Sequence, residues 1–173
     1  PSISSAASDV YKRQVLEQHP NIRDLLLSKF NHVAEEYLQY KRRKYIITTS
    51  WITQTRIGSR SQLHSHRNSF WSGVYYFQDE YEMGSAKLSF SNPNEHRADV
   101  YFDESDIEQY TKSNSNAWII TPKSKMLLLF PSYLEHEILV HNVDTERLSL
   151  AFNIMPTGRW GTSDSTFDTN WAV

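Results

Sequence analysis

Arg147-Leu148-Ser149-Leu150-Ala151-Phe152-Asn153-Ile154 alternates without a break. In an extended chain successive side chains leave opposite faces, so Leu148, Leu150, Phe152 and Ile154 share one face and Arg147, Ser149, Ala151 and Asn153 the other. The first face is core. The second is small and polar, with a guanidinium at its head. A strand with that second face in water explains the alternation equally well and leaves Arg147 a surface charge. A guanidinium fork with a hydroxyl two residues on, both facing a cavity, is instead a bidentate receptor for a carboxylate.

Upstream, Met126-Leu127-Leu128-Leu129-Phe130-Pro131 is a short continuous apolar run that reads as a buried strand closed by proline. It delivers His136 from a firm framework. Far upstream of it stands His64-Ser65-His66. At i and i+2 of an extended segment both imidazoles leave one face while Ser65 points away, so His64 and His66 can reach one metal ion. His136, on a strand paired alongside, completes one face of an octahedral ion and leaves positions open for substrate or oxygen. Such a pair also arises on wet strands by chance, and the chain has seven histidines. Glu135 and Glu137 flank His136 but leave the opposite face of a regular strand, so neither joins it on the metal.

The rest of the chain is β-rich around one helix. From Asn21, a candidate cap, apolar residues Ile22, Leu25, Leu26, Phe30, Val33, Ala34, Tyr37 and Leu38 recur at helical spacing and predict an amphipathic helix over 21–40. Strands are predicted over Tyr45 to Ile57 and near 71–78, 86–91, 98–102, 117–121, 126–130, 135–140 and 147–155. Eight or so short strands suit a jelly roll. Gly73 lies inside a predicted strand, where a bulge or a close ligand approach is its plausible use. Residues 103–116 are polar and predict a loop or short helix over the barrel mouth. Residues 157–173 read as a tail with two tryptophans tucked back. There is no internal repeat and no linker.

At 173 residues the chain is one domain of ordinary size, with 39% apolar and 13% aromatic residues favouring β-rich packing. It has no apolar run long enough to span a membrane as a helix. The absence of cysteine excludes a disulfide framework and is consistent with a reducing, cytoplasmic compartment. A net charge of -2 argues against nucleic acid as a partner. Lys41-Arg42-Arg43-Lys44 is the only basic run and reads as a solvated helix C-terminus. Within residues 1–14, Ser5 to Gln14 is similar to translated sequencing-adapter sequence found at the ends of environmental reading frames. They are set apart from the domain over 15–156 and expected to be disordered or loosely attached.

Taken together, His64 to Phe77, Leu88 to Pro93 and Phe130 to Asn153 resemble the Fe(II)- and 2-oxoglutarate-dependent oxygenases, the likeness covering about residues 45 to 156. It is strongest with a branch found in marine bacteria and cyanophages. The resemblance implies a mainly β (α+β) fold, a double-stranded β-helix or jelly roll with an N-terminal amphipathic helix. It implies Fe(II) held by His64, His66 and His136, and 2-oxoglutarate held by Arg147 and Ser149. Tyr75 falls where related prolyl hydroxylases set a tyrosine against the same carboxylate; its other reading is a core aromatic. Most of the superfamily has a carboxylate where this chain has His66. A neutral imidazole there leaves the metal one unit more positive, which strengthens anionic cosubstrate binding and weakens metal retention. It also fills the slot that halogenases of this fold keep small.

The activity implied is decarboxylation of 2-oxoglutarate to succinate, coupled through O2 to hydroxylation of a small-molecule or peptide substrate. Trp51, Trp71 and Tyr133 are candidates for the substrate side, with core packing as the alternative for each. Two other functions fit the residues. A three-His cupin-type dioxygenase would bind metal without 2-oxoglutarate, and a noncatalytic jelly-roll binding module would bind neither.

Overall fold

A computed structural model describes residues 9–11, 14–93 and 103–169. A single turn over Val15–Glu17 leads to α1 (Pro20–His32), which opens with proline at its first position and passes into a wider π-helical turn over Val33–Tyr37. The helix therefore starts just before Asn21, and neither Asn21 nor any other side chain caps it. Its inward side places Leu26, Phe30 and Ala34 in the core.

The major sheet has the order β1-β2-β8-β3-β6: β1 (Asp9–Tyr11), β2 (Tyr45–Thr55), β3 (Trp71–Tyr76), β6 (Met126–Pro131) and β8 (Arg147–Pro156). The minor sheet has the order β5-β4-β7: β4 (Leu88–Ser91), β5 (Ala117–Ile120) and β7 (His136–Ile138). All described pairings are antiparallel. Residues 58–64 extend the minor sheet beyond β7, through bonds such as Gly58 N–H to the His141 carbonyl (2.8 Å) and Ser61 N–H to the Ile138 carbonyl (3.0 Å). The architecture is the expected jelly roll with an N-terminal helix.

β8 is apolar or occupied on both faces, unlike a strand with one side in water. Its outer face, Leu150, Phe152 and Ile154, packs with Phe30, Tyr45 and Trp71 beneath the helix. Between the two sheets a second cluster joins Leu88, Phe90 and Phe130 with Val74, Leu128 and Ile138. Arg147, Ser149, Ala151 and Asn153 face that interior, and Arg147 and Ser149 are buried there. Trp71 belongs to the helix-side core, 5.7 Å from Phe30 between ring centroids, so it does not line the substrate side.

Gly73 corrects another expectation. The β3 register runs without a bulge on either side of it, pairing Gly73 with Leu129 and with Phe152. A Cβ on Gly73 would stand 2.2 Å from Phe152 Cζ, so the close approach is made by a core ring and not by a ligand. Phe152 is fully buried and has little room to retreat. Gly73→Ala is therefore expected to destabilise the protein by about 1–3 kcal/mol through overpacking. Urea unfolding reads this directly, and a variant as stable as the parent would contradict the packing.

Of residues 1–14, Asp9–Tyr11 pair with the outer edge of β2, and the Gln14 amide donates to the Thr48 carbonyl at 2.8 Å. The predicted strand at 98–102 lies outside the described residues. Residues 103–116 are turns with one short helical turn over Glu104–Asp106, as expected. The tail is more ordered than expected: β9 (Gly158–Trp160) and β10 (Phe167–Thr169) form a hairpin. Among the described residues no helix is long and apolar enough to cross a membrane.

Candidate metal centre

The His64 and His136 backbones bond to each other in both directions at 2.9 Å, an isolated antiparallel bridge joining residues 58–66 to β7. His66 N–H donates to the Ser132 carbonyl at 2.9 Å, fixing the next turn against the end of β6. These bonds bring three rings together, with centroids 4.5 Å apart for His64 and His136, 4.9 Å for His66 and His136, and 5.3 Å for His64 and His66. One ligand nitrogen from each lies within 4.8 Å of the other two, close enough to share one ion. No other group of ligating side chains of this kind occurs among the described residues, and Glu135 and Glu137 stay outside it as their strand parity predicts.

Each ring is held through Nδ1. His64 Nδ1 lies 2.8 Å from the Gln62 carbonyl and His136 Nδ1 lies 2.9 Å from the Leu134 carbonyl. A carbonyl oxygen only accepts, so both Nδ1 atoms carry the proton and both Nε2 atoms keep a free lone pair. His66 Nδ1 lies 2.8 Å from both Asn153 Oδ1 and Ser72 Oγ. Three rings, each backed by an acceptor, could hold one metal ion with their outer partners in place.

Burial disfavours the charged form of His136 and His66. His136, 4% exposed, is pushed down to about 4 from an ordinary 6.5 by loss of water, with smaller contributions from His64 and His66. His66 is lowered for the same first reason. Below pH 6.5 the unfolded chain protonates His136 while the metal-free folded protein does not. The stability present above that pH is therefore lost as pH falls toward 4, by up to roughly 3 kcal/mol in all. Urea midpoints at pH 7.5 and 5 should fall further in the parent than in His136→Asn, and equal falls would remove His136 as the cause.

Arg147 is 1% exposed on the same inner face. Its Nη1–H donates to Thr55 Oγ1 at 2.9 Å and its Nη2–H to the Tyr76 hydroxyl at 3.3 Å, with the guanidinium carbon 5.2 Å from the Tyr76 ring centroid. Its Nε is buried with no partner, and no described carboxylate pairs with it. Ser149 is buried two residues on.

The tyrosine that meets Arg147 is Tyr76 and not Tyr75. Tyr75 shares the face of Trp71 and Gly73 and packs into the helix-side core, whereas Tyr76 is fully buried against Arg147 on the other face. Trp51 stands beside the metal centre, 5.7 Å from the His66 ring. Tyr133 is 71% exposed in the turn before His136. Sequence reasoning also missed His141, fully buried, whose Nδ1 accepts from Ala86 N–H (2.9 Å) and whose Nε2–H donates to the Thr145 carbonyl (2.6 Å). It ties together the loops leading to β4 and β8. Strand parity put Tyr75 and Tyr76 on opposite faces without saying which face meets Arg147, and His141 and Thr55 gave no signal.

Residues 49–153 match the model of a protein family described as "Putative 2OG-Fe(II) oxygenase". No curated protein matches the sequence. Among solved structures, the non-heme alpha-ketoglutarate-dependent carbocyclase SnoK from nogalamycin biosynthesis superposes on 93% of this chain and 70% of its own, with 13% identity and a TM-score of 0.59. HygX from Streptomyces hygroscopicus, with nickel, 2-oxoglutarate and hygromycin B bound, superposes on 87% of this chain and 74% of its own, with 13% identity and a TM-score of 0.56. An oxidoreductase of the 2OG-Fe(II) oxygenase family from Burkholderia pseudomallei covers 78% of this chain at 14% identity and a TM-score of 0.54. This chain spans 56% of the length of that protein. At such identities the likeness is one of fold.

Proposed function

Since the chain belongs to the 2OG-Fe(II) oxygenase family, matched over residues 49–153, we propose that it is an Fe(II)- and 2-oxoglutarate-dependent dioxygenase that hydroxylates a small molecule or peptide while converting 2-oxoglutarate to succinate. His64, His66 and His136 hold the metal through Nε2. Arg147, with Ser149 beside it, takes the distal carboxylate of 2-oxoglutarate, and Tyr76 replaces Tyr75 as the tyrosine of that pocket. Fe(II) and 2-oxoglutarate, when bound, supply the oxidative chemistry with O2; the protein supplies binding, orientation and exclusion of water.

One observation carries this reading. Arg147 is a buried cation with an orphan Nε donor and no described carboxylate against it. An uncompensated buried charge is costly, and an incoming dicarboxylate removes that cost. The metal centre adds to the attraction, because three neutral ligands leave the ion's charge undiminished toward an anionic cosubstrate. Trp51 walls the His66 side with an apolar ring.

Anaerobic Fe(II) titration with and without 2-oxoglutarate tests the proposal. A visible absorption band that needs both components, and succinate release on admitting oxygen, is the expected result. Among the described residues no carboxylate joins the three histidines, which favours one second reading, a three-His dioxygenase that does without 2-oxoglutarate. It requires metal binding with no response to 2-oxoglutarate. Failure to bind metal at all would leave a jelly-roll binding module.

A further inference from the structure

His64 and His136 are each oriented by a backbone carbonyl two residues upstream on their own segment, Gln62 and Leu134. His66 alone depends on side chains from other strands, Ser72 on β3 and Asn153 on β8. The two acceptors are not equivalent. A serine hydroxyl rotates to donate or to accept and so suits either imidazole tautomer. Ser72 Oγ also stands 2.8 Å from Ser132 Oγ, which donates to Ser69 Oγ at 2.9 Å, so its proton has another place to go. An amide oxygen has no proton to give. Asn153 Nδ2–H donates to Thr49 Oγ1 at 2.9 Å, which turns Oδ1 toward both Ser72 (2.9 Å) and His66 (2.8 Å).

We propose that Asn153 is the positioning residue of the metal centre: its Oδ1, aimed by Thr49, holds the proton of His66 on Nδ1 and so makes Nε2 a ligand. This rests on the reading of His66 as a metal ligand. Arg147 and Asn153 lie on the same inward face of β8, so one strand aligns the carboxylate receptor and the orientation of a metal ligand. A different tautomer at His66 would point a protonated Nε2 at the ion, and the site would fall to two ligands.

Co(II) binding, read by its visible absorption and by calorimetry without cosubstrate or turnover, tests this. Asn153→Leu removes the acceptor at similar size and should weaken Co(II) binding about 10–100-fold, the usual effect of losing an outer-shell partner. Asn153→Asp keeps the acceptor and should bind at least as tightly as the parent. In a His66→Ala background Asn153→Leu should cost nothing further, because the ring it orients is gone. A merely structural role would instead give additive losses. Should Asn153→Leu fail to fold, Thr49→Val, which frees the amide to turn, takes its place and should weaken binding in the same direction.

Parent-like affinity in Asn153→Leu, or in Thr49→Val where the former does not fold, would overturn the proposal, as would additivity with His66→Ala. Unchanged Co(II) affinity in His66→Ala alone would overturn the three-histidine site itself. The two failures are therefore separable.

Discussion

Arg147→Met should abolish the response to 2-oxoglutarate while leaving the metal-free protein as stable as the parent, or more so. The two halves of this expectation have one cause. Arg147 is buried with its Nε unpaired and with no described carboxylate opposite, so in the metal-free protein its charge is held only by Thr55, Tyr76 and the Tyr76 ring. Replacing a buried, poorly compensated ion with an apolar side chain of similar length is often neutral or stabilising. Thr55 and Tyr76 lose a donor, but hydroxyls can turn to other partners, so this offsets only part of the gain. With 2-oxoglutarate the balance reverses: losing one side of a buried, hydrogen-bonded charge pair costs about 2–5 kcal/mol, a loss in affinity of roughly 30-fold to several thousandfold. Thermal unfolding with and without 2-oxoglutarate in the presence of Co(II) measures both. Retention of a cosubstrate-dependent rise in Tm would refute the assignment of Arg147, while Co(II) affinity should be untouched.

His136→Ala should remove metal binding more completely than any outer-shell change. His136 is the most buried of the three rings, its backbone forms the bridge to His64, and its Nδ1 is committed to the Leu134 carbonyl. No other imidazole, thiolate or carboxylate among the described residues stands near enough to take its place. The backbone bridge survives the substitution, so the fold should persist. At Co(II) a hundredfold above the parent's Kd, the parent gains about 2.7 kcal/mol of stability from the ion and the variant should gain almost none. Full metal content in folded His136→Ala would remove the metal centre from the reading and favour a noncatalytic jelly roll.

The strand at Arg147–Pro156, the apolar strand Met126–Pro131, the paired histidines and the helix after Pro20 were all legible before folding. Each is written in a local pattern, alternation for Arg147–Pro156, a short unbroken apolar run closed by proline for Met126–Pro131 and a period of 3.6 for the helix, and a local pattern needs no partner to be recognised. The pattern states which residues travel together. Arg147 with Ser149, and His64 with His66, follow from it directly.

Which face of a strand turns inward is not a local matter. Tyr75 and Tyr76 are adjacent and chemically alike, and only the packing of Phe152 over Gly73 and of α1 over Trp71 sends Tyr75 to the outer core and Tyr76 to Arg147. The same packing removed Trp71 from the substrate side. The orientation of His66 comes from Asn153, 87 positions away, and that of Asn153 from Thr49, 104 positions away. Alternation along the chain determined the strands and the residues that share a face, because side-chain direction follows from backbone geometry alone. The tertiary structure decided which groups face the candidate metal centre and how His66 is held, because the burial there and the bonds from Ser72 and Asn153 are made between strands remote in sequence.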